Sequence, residues 1–187
     1  PSRTLRQEFE GNGKRYVLYG PSSLRAPHKR YGPMAAVCEV EDYAYLSVNA
    51  LKRQNSDLSN QFTNIRLLLG NNSAGFKATL EIKDKYDTKT VEEAGLDLKV
   101  INWELNRPEN KFNLFLDGSA EIYALLLDGA YGVAVDNIPM RGSSGNVFTG
   151  IDGRLLHDAY RAMDVQLFLL EFGGNRVPSI YSREGIN

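Results

Sequence analysis

Between Met34 and Leu127 no window repeats its apolar residues at helical spacing, whereas several alternate strictly, and this constrains the chain's middle to be β. Phe76, Ala78, Leu80 and Ile82 alternate with Lys77, Thr79, Glu81 and Lys83, which is the pattern of a strand with one face buried. Residues 35–40 and 43–48 flank Glu41-Asp42, read here as a tight hairpin. Residues 62–69 run into the turn cluster Gly70, Asn71, Asn72 and Ser73. Further strands are expected at 96–105, 112–116 and 121–127, separated by turn signals at 106–110 and at Asp117-Gly118. About seven short antiparallel strands over ~95 residues argue for a β-sandwich of jelly-roll type.

The last third changes character. Residues 132–138 form a strand candidate, and 139–150 a loop holding Gly142, Ser143, Ser144 and Gly145. Residues 151–163 read as a helix, because Ile151, Leu155, Leu156, Ala159, Tyr160 and Met163 fall on one stripe. The segment DVQLFLLEFGGN (164–175) then supplies an apolar run ended by glycines, the composition of a buried parallel strand. Strand, loop, helix and strand make a βαβ crossover with parallel strands. Ligands of open α/β sheets gather past the carboxyl ends of such strands, so Gly142 and Asn175 are expected to face one pocket. The fold class is therefore α+β: a sandwich followed by a βαβ portion of a parallel α/β domain. The expected divisions are 1–33 as a leading segment or linker, 34–130 as the sandwich and 131–187 as the partial α/β domain.

Residues 1–33 look irregular, with one short strand candidate at 15–19 and a basic loop carrying Arg25, His28, Lys29 and Arg30. A net charge of −1 gives no basic field for nucleic acid. No run of about 18 apolar residues is present to span a membrane. Cys38 is the only cysteine and cannot close an internal disulfide. Two histidines and one cysteine, far apart, match no zinc spacing, and the acidic stretch 81–87 lacks a calcium-loop pattern. No phosphate-binding loop or dinucleotide fingerprint occurs, so neither metal nor cofactor is expected.

The segments VDNIPMRGSSG (135–145) and LLEFGGN (169–175) resemble two sequence blocks of the SGNH, or GDSL-like, hydrolases. The resemblance implies that Gly142 and Asn175 are oxyanion-hole residues. Glycine lets backbone approach the substrate, and a carboxamide gives a donor that does not titrate. The layout is more particularly similar to bacterial peptidoglycan O-acetylesterases, which carry a carbohydrate-binding-module-like sandwich between the serine and glycine blocks. That likeness implies acetyl ester cleavage on peptidoglycan or another polysaccharide, in the periplasm or outside the cell. The family's Gly-Asp-Ser and Asp-x-x-His blocks do not occur here. Removing one oxyanion donor costs on the order of 10²–10³ in turnover, whereas losing the nucleophile costs on the order of 10⁶. The chain alone is thus expected to be inactive. Pro1 is not a natural start, and the expectation is of a piece of a longer enzyme, associating with the missing part of its hydrolase domain.

The alternative is a non-catalytic carbohydrate-binding module in which the sandwich is the working part. Tyr43, Tyr45, Trp103, Phe115 and Tyr123 are its candidates for stacking on sugar rings. A purely structural or assembly role is the third reading.

Overall fold

The computed structural model describes residues 5–19, 21–51, 60–93, 95–138 and 145–172. Its strands are β1 (Leu5–Val17), β2 (Ala36–Ala50), β3 (Phe62–Gly70), β4 (Phe76–Ile82), β5 (Lys85–Val91), β6 (Lys99–Glu109), β7 (Lys111–Asp117) and β8 (Ala120–Asp128). The helix α1 covers Gly153–Ala162. Contacts divide the chain into two compact units, Pro1–Arg15 with Cys38–Val135, and Tyr16–Val37 with Asp136–Asn187.

In the first unit the strands hydrogen-bond in the order β5-β4-β7-β2-β8-β3-β6, with β1 also on β2. β2 pairs antiparallel with β7 and β8, β3 with β6 and β8, and β4 with β5 and β7. The core unites Phe76, Ala78 and Leu80 of β4 and Phe112, Leu114 and Leu116 of β7 with Ile65, Leu67 and Leu69 of β3 and Ile101 and Trp103 of β6. These groups lie far apart in the strand order, so the sheet folds over on itself into two facing layers. The Phe62 and Phe112 rings meet edge-on at 5.4 Å between them.

The fold turns on β2. Its early residues Cys38, Glu39 and Val40 pair with β8, and its later residues 43–49 pair with β7. The switch falls at Glu41-Asp42, where Asp42 takes φ +62° and its carbonyl accepts from Gly118 N–H at 2.7 Å. The expected hairpin is therefore a corner inside one long strand. The local chemistry was that of a turn, since Asp tolerates the left-handed region, but it bends the strand from one layer to the other. Close by, Gly11 has φ +103°, and a Cβ there would lie 2.6 Å from the Tyr43 carbonyl, so only glycine lets β1 come this near β2.

A second turn signal was also used differently. Asn64 faces Glu104 and Phe62 faces Glu109, so residues 105–108 stand opposite Thr63 alone. The stretch 106–110, expected to end a strand, largely forms a bulge within β6. Pro108 fits because β6 is an edge strand that can spare a donor. The other edge, β5, was not expected. It follows a two-residue turn, Lys83-Asp84, both at positive φ, and its residues 85–90 are all exposed.

In the second unit, Asp152 caps α1 by accepting from Leu155 N–H at 2.9 Å, and Leu155 and Ala159 are buried on the expected stripe. Tyr31 is fully buried, its hydroxyl donating to the Ala26 carbonyl and accepting from Ala26 N–H. The expected βαβ crossover is not found: neither 132–138 nor 165–172 is a strand. Leu167, Phe168, Leu169 and Leu170 are 54–86% exposed, with the Phe168 ring edge-on to Tyr160 at 4.7 Å. A buried central strand needs neighbours on both sides, and an apolar run signals only the demand for them. Gly142, Ser143, Ser144 and Asn175 lie outside the described residues. No helix among those described is long and apolar enough to cross a membrane.

Candidate functional site

The antiparallel register of β2, β7, β4 and β5 places alternate residues of four strands on one outer face. Tyr45 stands opposite Phe115, Phe115 opposite Thr79, and Thr79 opposite Thr88. The next row is Ser47, Asn113, Glu81 and Tyr86, and on the other side lie Tyr43, Asp117, Lys77 and Thr90. Each is half-buried or exposed, while the intervening residues Ala44, Val48, Phe112, Leu114, Leu116, Ala78 and Leu80 fill the core. Period two thus gives this layer an apolar inside and an aromatic, hydroxyl-bearing outside.

The outer face is hydrogen-bonded along its length. The Tyr45 hydroxyl donates to Asn113 Oδ1 at 3.1 Å, and Asn113 Nδ2 donates to Glu81 Oε2 at 2.9 Å. The Tyr86 hydroxyl donates to Glu81 Oε1 at 3.2 Å. That hydrogen bond, with the carboxylate's charge, pushes the Tyr86 phenol above its ordinary range, so it stays a neutral donor. Thr79 and Thr88 share a bond of 2.9 Å across β4 and β5. The Tyr45 and Phe115 rings lie 5.2 Å apart and tilted by 47°, each holding the other in place. The result is a fixed aromatic row beside a fixed row of donors and acceptors, which is what a polyhydroxylated ring requires: C–H faces covered, hydroxyls paired.

Of the residues read from sequence, Tyr43, Tyr45 and Phe115 come together here, with Tyr43 47% exposed at the end of the face. Trp103 and Tyr123 do not. Trp103 is a core residue of β6. Tyr123 is the extra residue of a bulge, since Leu68 faces Ala124 and Leu69 faces Ile122, and its hydroxyl donates to buried Glu121 at 2.8 Å. Asn113, Glu81 and Tyr86 were not singled out from sequence. For Glu81 and Asn113 the signal was the polar half of the alternation in β4 and β7, which acquires meaning only when the strand register is known, whereas Tyr86 lies on β5, whose exposed run carries no apolar period. His157, on α1, is exposed and 3.1 Å from its neighbour Asp158.

These features define a mostly antiparallel β-sandwich protein with one aromatic, hydrogen-bonded sheet face. The chain is similar in fold to a solved peptidoglycan O-acetylesterase, at 11% identity and a TM-score of 0.50, over 83% of this chain and 38% of that one. It therefore spans well under half the length of that esterase. It also matches the carbohydrate-binding module TmCBM61, solved with β-1,4-galactotriose, at 13% identity and a TM-score of 0.38, over 66% of this chain and 88% of that one. No family model and no curated protein matches the sequence.

Proposed function

We propose that the sandwich is a carbohydrate-binding module that engages polysaccharide through the outer face of β5-β4-β7-β2. Tyr45 and Phe115 stack on sugar rings, Tyr43 extends the row, and Asn113 and Glu81 pair with ring hydroxyls. The observation that carries this reading is the bonded chain Tyr45–Asn113–Glu81–Tyr86 running beside the tilted Tyr45–Phe115 pair on an open face. Fixing these groups before the ligand arrives lowers the ordering cost of binding. The test is retention of the protein on insoluble peptidoglycan and its mobility in gels containing soluble polysaccharides. Tyr45→Ala should abolish retention while leaving the thermal midpoint within a few degrees. Unchanged retention would remove the outer face from the reading.

A second reading places this module within a longer SGNH-type carbohydrate esterase that deacetylates peptidoglycan or another polysaccharide, in the periplasm or outside the cell. The fold likeness to an acetylesterase more than twice as long supports it. So does the exposure of residues 167–170, a run suited to an interior strand once the remainder of such a domain is present. Gly142 and Asn175 would then supply oxyanion donors, with nucleophile and base on the missing part. In the full-length protein, Asn175→Ala should lower acetyl ester turnover by about 10²–10³ without altering the melt. Wild-type rates from that variant would sink this assignment.

A further inference from the structure

The hydrogen bonds on the outer face of β5-β4-β7-β2 all run one way, and Glu81 sets their direction. An ionised carboxylate can only accept, so Glu81 takes the Tyr86 hydroxyl proton on Oε1 and an Asn113 N–H on Oε2. With Nδ2 turned to Glu81, Asn113 must point Oδ1 at Tyr45, and the Tyr45 hydroxyl must donate to it. Thr79 and Thr88 share one bond, which uses the proton of one hydroxyl or the other. Of the protons on these side chains, the second Asn113 N–H and one threonine O–H remain for a ligand. Ser47, at the end of the Asn113 row, adds a hydroxyl that can play either part.

Acceptors, by contrast, are in surplus. Glu81 keeps about two of its four lone-pair sites, and the Tyr45 and Tyr86 oxygens keep theirs. These groups are within reach of solvent: Tyr86 is 64% exposed, Thr88 is exposed, and Glu81, Asn113 and Tyr45 are half-buried. The charges of the face do not favour an anion. Lys77 stands opposite Asp117, and Lys111, two residues from Asn113 on the same side of β7, offsets Glu81.

We infer that the outer face takes neutral glycans that give hydroxyl protons to it and turns away glycans bearing carboxylates, with Glu81 setting that choice. This rests on the outer-face reading above and names the class of polysaccharide it takes. A sugar hydroxyl donates to Glu81 or to the Tyr86 oxygen and accepts from Asn113, while its ring covers Tyr45 and Phe115. A sugar carboxylate in the same place sets two acceptors of like charge against each other with no proton between them.

The experiment is affinity electrophoresis of the whole chain through gels holding hydroxyethyl cellulose, galactan or glucomannan. Each polymer is used native and after oxidation of its primary hydroxyls to carboxylates, so the members of a pair share a backbone and differ in charge. The expected result is retardation by at least one native glycan, with binding to its oxidised form weaker by about tenfold or more. Glu81→Gln should shrink that difference to under about threefold. Its new N–H can donate to Asn113 Oδ1, which turns the Asn113 amide over and releases the Tyr45 proton to the ligand. Should that variant melt early, Tyr86→Phe gives a second measure: it frees Glu81 Oε1 on an exposed edge strand and should widen the difference. Equal retardation by native and oxidised glycans overturns the inference, as does a folded Glu81→Gln variant that discriminates like the native chain, or an unchanged ratio in Tyr86→Phe. Retardation by no native glycan overturns it too, even where peptidoglycan retains the protein. Failure of the outer-face reading shows differently, as retention and discrimination that both survive in Tyr45→Ala.

Discussion

Phe115→Ala tests the outer face most directly, because its effects on stability and on binding should separate. The ring is half-buried and pairs across the strands with Tyr45, so the folded state loses a cross-strand aromatic contact worth about 0.5–1 kcal/mol and a modest apolar area. A total near 1 kcal/mol corresponds to a fall in thermal midpoint of about 2–4 °C for a chain of this size. On binding, a sugar covering ~60 Å² of the ring at ~25 cal/mol per Å² gains about 1.5 kcal/mol, or roughly tenfold in affinity. Tyr45 also loses the ring that fixes its tilt, so the loss should not be smaller than that. Calorimetric titration with the oligosaccharide that binds best, beside a thermal melt, measures both. A tenfold weaker complex from a protein only slightly less stable is the expected outcome. Unchanged affinity alongside the stability loss would show that the ring packs without touching ligand, and the reasoning would be wrong.

The remaining predictions concern the scaffold. Glu109 is 6% exposed beneath Lys83 at 2.7 Å and Arg107 at 2.9 Å. The hydrogen bond from Lys83, followed by that from Arg107, outweighs desolvation and holds the carboxyl below its ordinary range. Its contribution is therefore full above the unfolded carboxylate value and vanishes as pH falls through the folded one. Glu109→Gln should lower the unfolding free energy from urea titration at neutral pH by under about 1 kcal/mol, since both cations are more than half exposed, and match the native chain in acid. Parallel curves across that range would refute it. At the β2 corner, Asp42→Val should cost about 1–3 kcal/mol because a β-branched residue is strained at φ +62°, whereas Asp42→Gly should stay within about 0.5 kcal/mol. Equal melts for the two would mean that the corner does not require the left-handed region.

Much of the first unit was legible because its chemistry is local. The alternation in Phe76–Ile82 states which face is buried, and the strand appears as expected. In the second unit, helix α1 announces itself through its stripe. Elsewhere the sequence specified a conformation without its use. Glu41-Asp42 and the stretch 106–110 both have turn chemistry, yet one folds a strand between layers and the other makes an edge bulge. Strand β5 was invisible because six of its seven residues are exposed, leaving no apolar period to read. The outer face was half legible: Tyr45 and Phe115 were named, but Asn113 and Glu81 acquire a role only from the register that sets them side by side. Residues 165–172 have the composition of a buried strand, but the pairing partners such a strand needs are a property of other residues.

That last segment has a practical consequence. Leu167, Phe168, Leu169 and Leu170 form a short uncharged run open to solvent, bracketed by Asp164 and Glu171. Sequences of this kind seed intermolecular β-stacking, and flanking acids act as gatekeepers against it. Expression of the chain by itself should therefore be sensitive to these two carboxylates: neutralising them would drive the protein into inclusion bodies while the sandwich remained sound.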